Sequence, residues 1–352
     1  MCLDVIRIVA VFLVIINHVS AEAVLNPATG IPAHFGWWGA AFWDLVVGAD
    51  VSLFVMISGA LFLSKPQLPI RTIWTKYIPR LLFVYVVWVL IYGLFFRADW
   101  EINSLKDFLT AIANGGCGHL WFMPMLMVVY ACLPILRKIK TDKKLLTYSI
   151  ILTAGLLGYN FIAGALGYIP WHQSEIIALT QRLPLVSIAY TVIIYCGYAL
   201  LGYYLYKYNP SKAFRRNIYI LTPILLLIAM AMSGILTAQL GSFTYLSGGK
   251  YLPTMLEAIA IFLLFKHSVY IKAIDGYRSG KLIQYLSTCT LGIYLIHMLV
   301  LQKIIFLPIW FNNLFNRWSW IFIPLIAGLI FTISLIITIA LKKVPFIKKI
   351  VD

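Results

Sequence analysis

Apolar runs long enough to cross a bilayer recur from one end of this chain to the other. A helix needs about 17–25 residues to span the hydrocarbon. Such runs fall at 3–20, 45–64, 77–96, 119–136, 145–165, 183–205, 218–240, 252–266, 282–302 and 319–341, the first and eighth being short or interrupted by polar groups. Only 11% of the residues are charged, against about 25% in soluble domains. No soluble segment stands between the runs. Residues 1–352 are therefore expected to form one all-α integral membrane domain with about ten transmembrane helices.

The net charge of +16 would suggest nucleic acid in a soluble protein, but here its placement explains it. The connections after the second, fourth, sixth and eighth runs hold Lys65, Arg71, Lys76 and Arg80; Arg137, Lys138, Lys140, Lys143 and Lys144; Lys207, Lys212, Arg215 and Arg216; and Lys266, Lys272, Arg278 and Lys281. Arg7 and the tail (Lys342, Lys343, Lys348, Lys349) join them by parity. Of the 28 Lys and Arg, only Arg97, Lys106, Arg182, Lys250, Lys303 and Arg317 remain for the other side. Positive charge marks the cytoplasm, so both termini are expected inside. The lipid bilayer, not nucleic acid, is the partner this pattern implies.

Arg7, the apolar stretch after it and "AEA" at 21–23 imitate a signal peptide. Asn17 and His18 interrupt that reading, and the parity needs the first helix to stay inserted. Five cysteines (Cys2, Cys117, Cys132, Cys196, Cys289) without CxxC spacing support neither a disulfide framework nor a thiolate metal site. No bound cofactor or metal is expected. No inverted pair of Gly/Pro-broken helices stands out, which weighs against a secondary transporter.

Ionisable residues inside membrane helices are functional hypotheses by default. Arg7 and His18, in "RIVAVFLVIINHV", lie eleven residues apart. At about 100° and 1.5 Å per residue they share a face, about 16 Å apart along the axis. Arg7 is expected at the cytoplasmic edge and His18 in the outer half. Asp50 opens the second run from outside, His119 the fourth, and Trp121 follows it. Glu257, in "YLPTMLEAIAIF", lies about 7 Å below the outer end of the eighth run, and His297, in "LGIYLIH", about 22 Å up the ninth. Each has a plainer reading too. His119 and His297 are interfacial histidines bonded to backbone, Asp50 caps its helix, and Arg71, Lys76 and Arg80 do no more than set orientation. Glu257 is harder to dismiss, because a mid-helix carboxylate needs a partner and His18 is at a compatible depth.

In five blocks the chain resembles the membrane-bound acyltransferase-3 family, whose members O-acylate cell-surface sugars. "LDVIRIVAVFLVIINH" resembles the first-helix signature of an Arg and a His, and "GADVSLFVMISGALFLSK" the second-helix motif. "RTIWTKYIPRLLFVY" is similar to the cytoplasmic basic stretch. "GHLWFMPMLMVVYACLPIL" and "LSTCTLGIYLIH" resemble the blocks at helices four and nine, and look closest to the enterobacterial common antigen O-acetyltransferase branch. The esterase-like and serine-racemase domains fused to some members are not seen.

The resemblance implies a bacterial inner-membrane O-acyltransferase that takes an acyl group, acetyl first among candidates, from cytoplasmic acyl-CoA. The acceptor would be a hydroxyl of a surface or lipid-linked glycan. Arg71, Lys76 and Arg80 would grip the CoA phosphates, as cationic forks do. His18 would be general base or acyl carrier, with Arg7 on the donor side and Glu257 orienting the imidazole. Asp50, His119, Trp121, Tyr294 and His297 would line the acceptor side. A transporter or flippase for polysaccharide or lipid-linked sugar, or an accessory subunit of a glycan synthase, would use similar polar residues without the chemistry.

Overall fold

The computed structural model describes residues 1–25, 35–95, 104–113, 118–167, 184–240, 246, 248–273, 277–304 and 309–351. Arg97, Asp99, Glu101, Cys117 and Arg182 lie outside them. The described residues are helical, without a strand among them: α1 (Cys2–Leu25), α2 (Phe35–Val46), α3 (Asp50–Ser64), α4 (Ile70–Phe95), α5 (Leu105–Ala113), α6 (Phe122–Ile139), α7 (Lys143–Gly167), α8 (Pro184–Lys207), α9 (Lys212–Leu240), α10 (Leu252–His267), α11 (Arg278–Ser287), α12 (Thr290–Leu299) and α13 (Ile309–Lys342).

Among the described residues, seven stretches are long and apolar enough to cross a membrane, with α2 and α3 forming one of them. A bent pair, α11 and α12, broken by 53°, would make an eighth. The expected runs at 183–205 and 252–266 form α8 and α10, which are not among these stretches. α10, at 16 residues, is shorter than the roughly 20 a straight crossing takes.

α1 sits centrally, packed against α2, α3, α10, α11, α12 and α13. That explains its sequence: Ile6, Ala10, Val11, Val14, Ile15 and Val19 are all buried, so it is apolar around most of its circumference. α3 and α8 make the most extensive pairing, and small residues let them approach. A Cβ at Gly59 would stand 1.9 Å from the Ala199 carbonyl oxygen, and one at Gly202 would stand 2.0 Å from that of Met56. In lipid, where apolar burial does not drive helices together, such close backbone contact is what holds a pair.

The basic residues do more than mark a side. Arg137, in the last turn of α6, donates to the carbonyls of Phe62 (3.1 Å), Lys65 (2.8 Å) and Pro66 (2.9 Å) at the end of α3. Lys140 donates to Leu63; burial, with Arg137 and Lys207 nearby, holds its ammonium below the ordinary value. Lys266, ending α10, caps the carbonyls of Leu205, in the last turn of α8, and of Tyr208 just after it. Lys342, ending α13, reaches the Thr288 carbonyl at 3.1 Å. These are cations on orphan carbonyls at helix C-termini, where backbone and dipole both favour them. They gather the ends of α3, α6, α8, α10 and α13 at one end of the bundle, the basic end.

Candidate functional site

Arg7 lies at the basic end. Its Nη1 donates to Ser287 Oγ at 3.4 Å, and that hydroxyl donates to Asp4 Oδ1 at 2.9 Å. Three turns further along α1, His18 meets two other histidines. Its ring centroid is 5.2 Å from that of His297 on α12 and 6.2 Å from that of His119, which are themselves 5.3 Å apart. His119 sits on the 3-10 turn Gly118–Trp121 leading into α6. Three imidazoles from distant parts of the chain thus share one volume.

The surrounding hydrogen bonds explain how they are held. His297 Nδ1 lies 2.5 Å from the Tyr294 carbonyl oxygen. A carbonyl only accepts, so Nδ1 carries the proton and neutral His297 presents its lone pair at Nε2. Nε2 of His297 and of His119 are buried without a hydrogen-bond partner. Tyr294 donates to the His119 carbonyl at 2.5 Å, and Tyr92 on α4 donates to the Leu295 carbonyl at 2.8 Å. The Tyr92 ring packs against His119 with centroids 4.8 Å apart. Among the described residues, no group of three or more His, Cys, Asp or Glu is placed to hold a metal ion.

A cavity of about 360 Å³ runs from the level of Arg7 up to Tyr294, beside the histidines, none of which lines it. Arg7, Arg80, Ser287 and Thr288 line it near the basic end, and Phe54, Ile57, Phe122 and Leu126 are among its apolar walls. Tyr294, whose ring centroid is 5.9 Å from those of His119 and His297, also lines it. Of the three basic candidates, the structure brings only Arg80 to this cavity. Arg71 and Lys76 are exposed and line none of it. A π-helical turn at Ile73–Tyr77 separates Arg71 from Arg80; its extra residue rotates the rest of α4 relative to a continuous α-helix.

The remaining candidates divide. Trp121 is 39% exposed, its ring 5.9 Å from Tyr195. Asp50 is buried and accepts from the Val51 N–H at 2.5 Å, in the first turn of α3. Glu257 is buried, and His18 makes no hydrogen bond to it; the Ala49 backbone is the group that faces its carboxylate. Sequence reasoning missed Tyr92 and Ser287, and also the hydroxyls of Ser52, Tyr198 and Thr254. Polar residues inside apolar runs were the available signal for the hydroxyls, and nothing local marks Tyr92.

Fold and site together define a multi-helix membrane protein with a buried histidine cluster and, beside it, an arginine-lined cavity that reaches Tyr294. The chain matches the family model of the acyltransferase domain over residues 2–341. It belongs to that acyltransferase-3 family and is a membrane acyltransferase. No curated protein and no solved structure shows significant similarity to it.

Proposed function

We propose that the protein moves an acyl group, acetyl in the first instance, from cytoplasmic acyl-CoA to a hydroxyl of a surface or lipid-linked glycan. In this reading it crosses a bacterial plasma membrane ten times, with α8 and α10 among the crossings and both termini cytoplasmic. Within the family it would belong with the enterobacterial common antigen O-acetyltransferases, which the blocks at helices four and nine resemble. One observation carries the proposal: the cavity that reaches from Arg7 and Arg80 to Tyr294, beside the histidines. Acyl-CoA is cytoplasmic and the glycan is not, so a donor channel must join a cation-lined mouth to a base deep in the bundle.

The donor phosphates would meet Arg80, with Arg71 and Lys76 adding attraction from the exposed rim; a guanidinium grips phosphate by paired hydrogen bonds. Arg7, steadied by Ser287 and Asp4, would act at the cavity's mouth. The acceptor hydroxyl would lose its proton to His18 as its oxygen attacks the thioester carbonyl. The C–S bond then breaks, and the proton passes to the departing CoA thiolate. A histidine suits this because its pKa is ordinarily close to neutral. His119 and His297 would crowd the acceptor side, with Trp121 and Asp50 towards its rim.

The test is vectorial. Proteoliposomes would carry acetyl-CoA on one face only and a glycan acceptor on the other. Acetyl ester on the acceptor, with CoA released on the donor face, is expected. Passage of unmodified glycan across the membrane without ester would favour the transporter reading instead.

A further inference from the structure

A second buried polar cluster lies where α3, α8 and α10 meet, and of its members the acyl-transfer scheme uses only Asp50, at the acceptor rim. Asp50 and Ser52 come from α3, Tyr198 from α8, and Thr254 and Glu257 from α10. Ser52, Tyr198 and Thr254 are 0% exposed, Glu257 4% and Asp50 8%. Ser52 Oγ, Tyr198 OH, Thr254 Oγ1 and both Glu257 carboxylate oxygens lack a hydrogen-bond partner. They are neighbours: the Tyr198 hydroxyl is within reach of Ser52, and Glu257, faced by the Ala49 backbone, lies within electrostatic reach of Tyr198 and Asp50. Thr254 and Glu257, three residues apart, share one face of α10. The glycine turn above completes the enclosure. A Cβ at Gly249 would stand 3.1 Å from Ser52 Oγ and 2.7 Å from the Tyr195 hydroxyl, and Gly248 holds φ at +96°.

Every donor atom in this cluster is oxygen, and among the described residues no Lys, Arg or His forms an ion pair with either carboxylate. Burying two carboxylates within electrostatic reach of each other without a counter-charge is costly, and hydroxyls left without a well-formed hydrogen bond nearby add to that cost. A ligand that satisfies all of them must be small, positive and oxygen-seeking. We propose that Asp50, Glu257, Ser52, Thr254 and Tyr198 form a binding site for a hard, oxygen-coordinated cation at the α3–α8–α10 junction. Calcium matches two carboxylates in charge, and sodium fits if one carboxylate keeps a proton; such ions take carboxylate and neutral oxygen ligands together. The bound ion would lock the three helices, and through Asp50, which lies within electrostatic reach of Tyr294, it borders the histidine site. The proposal does not depend on the transfer reaction.

The test is a melting curve, which reads no activity. Purified full-length protein is stripped with EDTA, exchanged into choline chloride, and titrated with CaCl₂ or NaCl at constant ionic strength. A saturable rise in Tm with one of the two is expected, since a ligand of the native state stabilises it by mass action. The responding salt identifies the ion. The rise should vanish in Glu257→Gln and Asp50→Asn and persist in Glu22→Gln, whose carboxylate is exposed. Thr254→Val, nearly isosteric, covers the case in which the carboxylate variants fail to fold; it should shift the midpoint concentration several-fold upward. Identical curves in choline, sodium and calcium overturn the site, as does a rise that Glu257→Gln and Thr254→Val leave unchanged.

Discussion

His18 and His297 stand 5.2 Å apart, centroid to centroid, though they enter the site from α1 and α12. His297 has its Nδ1–H committed to the Tyr294 carbonyl, which fixes its ring; no such bond defines His18, which is also less buried. The freer ring suits proton transfer and the fixed one suits a wall. His18→Ala and His18→Gln should each cut acyl transfer by about 10²–10⁴-fold, the usual cost of losing a general base. Glutamine keeps hydrogen bonding but takes no proton at neutral pH, so it separates basicity from shape. Expression and CoA binding should hold, because the donor end lies about 16 Å away along α1. Full glycan acylation by His18→Gln would remove His18 from the chemistry.

The basic residues of α4 should not behave alike. Arg80 lines the cavity, while Arg71 and Lys76 do not. Arg80→Ala is expected to raise KM for acyl-CoA by about tenfold or more, the scale of a lost charge-assisted contact. Arg71→Ala with Lys76→Ala should change it only slightly, and that slight effect should fade with salt, as exposed charges do. Equal effects from the two variants would mean that the donor is held outside the cavity.

What the sequence made legible was whatever periodicity and charge encode. The eleven-residue spacing put Arg7 and His18 on one helix, and the loops signalled the basic end. Which distant polar groups meet depends on packing, and there the sequence was blind. Glu257 read as a partner for His18 because both were placed by depth alone; rotation about the helix axis turns it towards Asp50 instead. The sites of close helix approach were equally hidden, because Gly59 and Gly202 look like any other glycines until α3 and α8 are docked. Arg137 and Lys266 read as topology markers, and their second role as C-terminal caps depends on helix ends that only the fold brings together.

Gly59 tests that docking. An added methyl would run into the Ala199 carbonyl, a backbone atom that cannot rotate away. Gly59→Ala should therefore force α3 and α8 apart and cost about 1–3 kcal/mol, typical of overpacking, seen as a lower Tm in detergent. Gly155→Ala on α7 is the control, because nothing lies within 4 Å of its Cβ position. There alanine should be neutral or stabilising by up to about 1 kcal/mol. Equal melting points for the two variants would mean that the α3–α8 contact is looser than described.

Orientation can be read with reporter fusions. Cations cap the ends of α3 and α8 from α6 and α10, so four helices finish at one end, and an even number of crossings must separate successive members of that set. Positive loops stay in the cytoplasm; fusions after Lys140 and after Phe214 should therefore report inside, and those near Lys106 and Glu175 outside. The Glu175 fusion is the most informative, because it asks whether α7 and α8 each cross. An inside signal there would leave α7 and α8 as a re-entrant pair. The count would drop by two while both termini stayed on one side. A swapped signal near Lys106 would instead put the histidine cluster on the donor side, and acyl transfer across the membrane would lose its physical basis.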